Sequence, residues 1–403
     1  LVNGDHNNVA PRVGIAYAPD KHTVIRAGYG IFYDRYNLTF FFISAPQRAP
    51  EITGLPTSSN METGTWLLNL ATVQTGPPAV AADEAAIAAR TLLTTGAFPP
   101  NLQVYQGGSV VDRNSRTPYS EQANLQIDRE IGNGLVLSIG YLFVGAHKQV
   151  RPANLNIGPP VGTLANGKSY FDYDKIDANA GLFYYTDDSG NSAYHGLTLS
   201  ATQRFGQYLR LNANYTFSKT LDDGTFATFV STPEDLYNRQ LERALSIQDV
   251  RHRFVANLTA TGREKTLFRG FELSSIVTLQ SPRPFTIFAG FDANADNNPV
   301  TDRVGLSGRN TYLGDSLRAV DLRLSRSFSF GQEKKKLQLT ADCFNLFNRA
   351  NVNEVNTVYG APDFVGTTPT AYKDGTTAPN PFFGTPRNVF NPRQFQFAAK
   401  FLF

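Results

Sequence analysis

One cysteine, Cys343, is all the thiol that the 403-residue chain possesses. It can form no intramolecular disulfide and no cysteine-based metal site. Long hydrophobic runs are missing too: no stretch reaches the roughly 18 apolar residues that a membrane-spanning helix needs, and the mean hydropathy is -0.27. Such a value does not separate a soluble protein from a transmembrane β-barrel, whose polar lumen face cancels its lipid face in the average. Charge of one sign is also absent, since 37 Lys and Arg oppose 34 Asp and Glu, and the resulting +3 is too small to argue for nucleic acid as a partner. The five histidines, His6, His22, His147, His195 and His252, never fall at HxxxH or HExxH spacing, which leaves no catalytic zinc motif. No phosphate loop or nucleophile elbow is found, Gly28 to Gly30 lies inside a strand pattern, and no carboxylate pair can be assigned as acid and base. The reading is not an enzyme. The chain begins "LVNGDHNN", without Met or a secretory leader, so Leu1 is read as an internal position in a longer protein.

What the sequence has in quantity is alternation. It closes on "RQFQFAAKFLF". As a strand, this puts Phe395, Phe397, Phe401 and Phe403 on one face and Gln394, Gln396 and Lys400 on the other, because side chains alternate along a strand. "GLTLSATQRF" and "YLRLNANYTFSK" repeat the pattern around a Gly206-Gln207 turn, which is the signature of a hairpin. The same rule gives eleven strands near 9–17, 23–33, 118–131, 135–145, 194–205, 208–219, 251–261, 270–280, 319–330, 336–347 and 393–403.

Short connections at 18–22, 132–134, 206–207, 262–269 and 331–335 alternate strictly with long ones at 34–117, 146–193, 220–250, 281–318 and 348–392. Outer-membrane barrels have this asymmetry, with short periplasmic turns and long extracellular loops. The expected fold is all-β: an antiparallel transmembrane β-barrel portion of about 11 strands, with helix confined to loop stretches at 81–93 and 233–245.

The stretches "YHGLTLSATQRFGQYLRLNANYTFSKTLDD", "DVRHRFVANLTA", "VTLQSPRPFTI", "LQLTADCFNLFNRANV" and the terminal "FAAKFLF" resemble the C-terminal barrel half of TonB-dependent receptors, in particular the Oar-like group. "APRVGIAYAPDKHTVIRAGYGIFYDR" shares the likeness. The resemblance implies residence in the bacterial outer membrane and a parent barrel of about 22 strands, so that residues 1–403 form one C-terminal barrel portion. It also implies an N-terminal plug, a TonB-type energy-coupling protein as partner, outer-membrane lipid around the wall, and an unidentified substrate. Phe395, Phe397, Phe401 and Phe403 would then be read by the barrel assembly machinery. Two other readings stay open, a structural or adhesive outer-membrane protein and a passive porin. The sequence upstream of Leu1 separates the three: plug with coupling box, plug alone, or neither.

Candidate site residues fall in three groups. Arg204, Arg210, Arg253, Asn257 and Glu272 sit at lumen-facing positions of their strands and would hydrate, contact the plug or touch substrate. Tyr184, Tyr185 and Tyr237 with Phe226 and Phe229 could form a loop platform. The sharpest motif is "DANADNNPVTD", where Asp292, Asn294, Asp296 and Asn298 stand two apart as calcium-loop oxygens do, with Asp302 beyond. Asn297 replaces the loop glycine and Arg303 the bidentate glutamate, so the match is partial. Calcium binding and a solvated polar turn are both open at this point.

Overall fold

The computed structural model describes residues 4–34, 106–112, 114–174, 176, 180–224, 232–263, 266–296, 298, 300–331, 335–361, 363 and 379–403. Eleven strands run through it: β1 (Arg12–Tyr17), β2 (Thr23–Tyr33), β3 (Tyr119–Gly132), β4 (Leu135–Asn154), β5 (Ala180–Phe205), β6 (Leu209–Asp222), β7 (His252–Thr261), β8 (Phe271–Gln280), β9 (Leu317–Phe330), β10 (Lys335–Phe344) and β11 (Gln394–Leu402). Each pairs antiparallel with the next in one continuous meander. All eleven expected strands are present. Among the described residues, no strand covers the outer edge of β1 or β11.

The register explains why the sequence alternates. Directly opposed residues share a face, and one polar row can be followed from Arg26 through Gln126, Gly140, Thr198, Thr216 and Arg253 to Gln280. Farther along, Ser274, Arg323, Asp342 and Gln396 continue that face to the last strand. The opposite face carries Ile127, Ile139, Leu199, Tyr215, Phe254 and Leu279 in register, and the exposed Phe397 at its end. A wall with one wet and one greasy face, both uncovered, suits lipid on one side and an aqueous lumen on the other.

Aromatic residues collect at both ends of the greasy face, where the interfacial girdles of a barrel lie. At the end that carries the long connections, Tyr141 Oη is 2.7 Å from Nδ1 of His195 and Tyr215 Oη is 2.7 Å from Nδ1 of His252. Tyr119 packs on His147 beside them. At the end that carries the short turns, Arg326 lies over the rings of Phe271 and Phe328, at 4.6 and 4.7 Å from their centroids, the placement that long cationic side chains take at interfaces. The tight turns sit here too. Gly206 adopts φ +61° between β5 and β6, a left-handed conformation that glycine takes without steric cost.

The long connections do more than link strands. β4 and β5 run past the expected boundaries and pair out to Asn154 and Tyr184, with register irregularities between Ala146, Gln149 and Arg151. The segment Gln106–Val111 adds a parallel strand to β5. Beyond them the loops pack on one another into a cap, whose apolar centre is Ile287, Ala289, Ala293 and Val304, flanked by Phe285, Phe291, Tyr359 and Phe383. Conventional buried packing is thus found in the cap rather than in the wall, neither face of which is covered by a second layer among the described residues. Among the described residues helix is limited to a 3-10 turn at Arg239–Glu242, shorter than the expected stretch at 233–245; the stretch at 81–93 lies outside the described residues.

Candidate functional site

The five residues expected at the lumen all stand on the polar face, yet they do not converge. Arg204 and Arg210 are opposed across β5 and β6 and both are exposed. Asn257 lies opposite Asn212 and Ile276 in the middle of the wall, Arg253 opposite Thr216 and Gln280 at its outer end, and Glu272 opposite Ser325 and Thr261 at the inner one. Such a spread makes a hydrated surface, not a pocket. The best-defined contact on this face is one that alternation alone did not single out: Arg323 grips Asp342 in bidentate fashion, Nε at 2.6 Å and Nη2 at 2.9 Å from the two carboxylate oxygens.

Chemistry concentrates instead in the cap, on the loop from Asp292 to Asp302. The chain turns through Ala295 at φ +61°. The Asp296 amide donates to Asn294 Oδ1 at 3.0 Å and to Asp292 Oδ1 at 3.1 Å, and the Asn298 amide donates to Asp296 Oδ1 at 2.8 Å. Next to the core residue Val304, Asp302 is fully buried at 0% exposure, and its Oδ2 accepts from the Ala293 amide at 2.6 Å. The result brings Asp292, Asp296 and Asp302 together, one carboxylate oxygen of each lying within 4.8 Å of the others.

The two asparagines of the motif serve as ties. Asn294 donates to the Glu234 carbonyl at 3.0 Å and Asn298 to Thr232 Oγ1 at 2.6 Å, while the amides of Phe171 and Tyr173 donate to the carbonyls of Asn294 and Ala295. Three loops therefore meet here. This is not a solvated turn: Asn294 and Asp296 are also buried.

Around the cluster runs a separate ion-pair network. Lys168 Nζ is 2.6 Å from Glu234 Oε1, Arg303 Nη2 is 2.6 Å from Glu234 Oε2 and its Nη1 is 3.1 Å from Glu242 Oε1, and Arg309 pairs with Asp222. Arg303, which stands where a calcium loop would carry its glutamate, turns away into this network. Sequence reading missed Lys168, Glu234 and Glu242 because partners more than 60 residues apart leave no local pattern.

Burial, and next the charge of Asp292, pushes the Asp296 carboxyl up to about 8. Asp302 is raised well above the usual carboxylate range, first by burial and then by Asp296 and Asp292. Its Oδ1 has no hydrogen-bond partner, and such a group costs about 1–3 kcal/mol or more when charged. Chemically, these oxygens call for a positive ligand, a proton or a metal ion. They are all oxygen donors, the set that suits a hard cation such as calcium and not zinc.

The expected aromatic platform is only partly described. Tyr237 donates to the Ile157 carbonyl at 2.8 Å and packs on Phe171, so it belongs to the cap interior. Phe226, Phe229 and the side chains of Tyr184 and Tyr185 lie outside the described residues.

The family model described as the outer membrane beta barrel domain matches residues 1–304 and 289–396. The chain belongs to that family. It is thereby a protein of the bacterial outer membrane, in keeping with its two-faced wall. Similar solved structures include the outer membrane transporter YddB from Escherichia coli, at 13% identity over 95% of this chain and 39% of that one, TM-score 0.49. The ferripyoverdine receptor of Pseudomonas aeruginosa, bound to ferripyoverdine, is 10% identical over 98% of this chain and 32% of that one, TM-score 0.48. A mutant of the ferric enterobactin receptor from Pseudomonas aeruginosa gives 15%, 98%, 40% and 0.48 for the same measures. The chain spans 32–40% of the length of these three proteins. No curated protein matches it.

Proposed function

We propose that this barrel domain is the C-terminal wall of a TonB-dependent receptor, of the Oar-like group, that binds a substrate at the cell surface and takes it up through a gated lumen. The observation that carries the reading is the polar face followed strand by strand across the whole sheet, whose edges at β1 and β11 are unpaired among the described residues. Unpaired strand edges invite association, and a barrel removes them by closure. Preceding strands of the parent would pair β1 and β11 and complete a circle of about 22 strands, a size whose lumen is filled by a plug. The exposed Arg204 and Arg210, with Arg253, Asn257 and Glu272, then hydrogen-bond the plug or line the substrate path. Energy comes from an inner-membrane coupling protein. The Oar-like assignment rests on the strand motifs quoted above, and the ligands of the similar receptors do not specify the substrate of this one.

Conductance of the full-length parent in a planar bilayer tests the reading. A plugged receptor stays closed and conducts only after its N-terminal domain is removed. Steady conductance by the intact parent would overturn it in favour of a passive porin.

A further inference from the structure

We propose that Asp292, Asp296 and Asp302 hold one calcium ion, which clamps three extracellular loops into a single cap. The inference goes beyond uptake and holds whatever the barrel carries. It begins with charge. In the neighbouring network Lys168, Arg303 and Arg309 are already matched by Glu234, Glu242 and Asp222. Among the described residues no cationic side chain forms an ion pair with Asp296 or Asp302. Among the described residues, then, these two buried carboxylates beside Asp292 have no cationic partner; buried carboxylates are neutralised by a proton, an ion pair or a metal, and three of them within reach of one point favour the metal.

The second observation is independent of the cluster's composition. Asp302 is wholly buried and its Oδ1 lacks any partner, although its other oxygen is held by the Ala293 amide. The Asp302 carboxylate that carries this orphaned oxygen also belongs to a cluster in which one oxygen from each of Asp292, Asp296 and Asp302 lies within 4.8 Å of the others, the reach of one shared ion, because calcium sits about 2.3–2.6 Å from each oxygen. The donors include no histidine or cysteine, which disfavours zinc and copper. Calcium also accepts irregular sets of about 6–8 oxygens, so backbone carbonyls and water can complete the shell, whereas magnesium demands near-octahedral geometry and gives up water reluctantly.

The consequence is mechanical. The same loop accepts backbone hydrogen bonds from Phe171 and Tyr173 and ties through Asn294 to Glu234 and through Asn298 to Thr232. Neutralising the three aspartates would hold all of these contacts at once. Without the glutamate of a full calcium loop, the affinity belongs in the range of extracellular modules, roughly 10⁻⁴–10⁻³ M.

The test is trypsin cleavage of the purified full-length parent, in calcium chloride or in chelator, following the cut at Lys168, far from the aspartates in sequence. Calcium at ten times its dissociation constant should slow that cut about tenfold, the factor by which a bound ligand suppresses the open state. Magnesium at equal concentration should do much less. Asp296→Asn and Asp302→Asn should abolish the calcium response; heat-modifiable migration of the barrel checks that each variant is assembled. A variant that fails to assemble is replaced by direct calcium titration of the wild-type parent, read by calorimetry. Equal cleavage in calcium and chelator, an undiminished response in both variants, equal protection by magnesium, or no heat of calcium binding would each overturn the proposal.

Discussion

Arg303 and Glu234 meet at 2.6 Å with both side chains almost wholly buried, 4% and 6% exposed, although 69 residues separate them. Glu234 also receives Lys168 and accepts the backbone amide of Arg303 at 2.8 Å. This pair joins the loop after β6 to the loop after β8.

Removing one partner of a buried ion pair leaves an uncompensated charge and costs about 3–5 kcal/mol. Arg303→Met should therefore loosen the cap by roughly that amount, seen as faster hydrogen exchange at the amides of Phe171, Tyr173 and Val304. Exchange in β7 and β8 should not change, since the wall is held by its own ladders. Uniform acceleration through cap and wall would mean that the two do not open separately.

The terminal strand makes a second case. Phe403 is 96% exposed and stacks beside Phe401 at 6.2 Å, so neither ring is needed for packing within the described wall. Deleting Phe403 from the parent should nonetheless reduce the amount of heat-modifiable barrel far more than Gln396→Ala does on the polar face. Equal losses would remove the assembly role from Phe395, Phe397, Phe401 and Phe403.

Sidedness follows from the connections. Leu306, 75% exposed in the cap, and Leu267, 94% exposed in the turn between β7 and β8, lie at opposite ends of the sheet. In a parent carrying Cys343→Ala, a cysteine at 306 should react with an impermeant maleimide on intact cells. One at 267 should react only after the outer membrane is permeabilised. The reverse pattern would invert the barrel. Gly290 is unsuited to the outer label, because at φ +87° a Cβ would strike the Val358 side chain.

The wall was legible in the sequence because each strand faces two different solvents, and that contrast writes itself as a period of two. Thus Leu209, Leu211, Ala213, Tyr215 and Phe217 could be assigned to one face of β6 before any pairing was known. Where the strands leave the bilayer the contrast ends. Around Lys148, Gln149 and Arg151 the alternation fades and the register slips, so the true ends of β4 and β5 were not readable. The spacing of Asp292, Asn294 and Asp296 did mark the acidic loop. It could not reveal that Asp302 would be buried, since that depends on Val304 entering a core with Ile287 and Ala289. Near 233–245, helix-forming residues gave way to a single 3-10 turn because Glu234 and Glu242 are drawn to Arg303. His195 and His252 looked scattered, yet cross-strand pairing sets each beside a tyrosine at the outer girdle.

The receptor reading depends on one wall with lipid on one face and water on the other. The most direct test places a single fluorescent label at each position from Leu209 to Phe217 of the parent, in the Cys343→Ala background, and measures quenching by brominated lipid chains in reconstituted bilayers. The account predicts strong quenching at 209, 211, 213, 215 and 217, weak quenching at 210, 212, 214 and 216, and a strict period of two. Quenching without alternation, or strongest at Asn212 and Asn214, would contradict it.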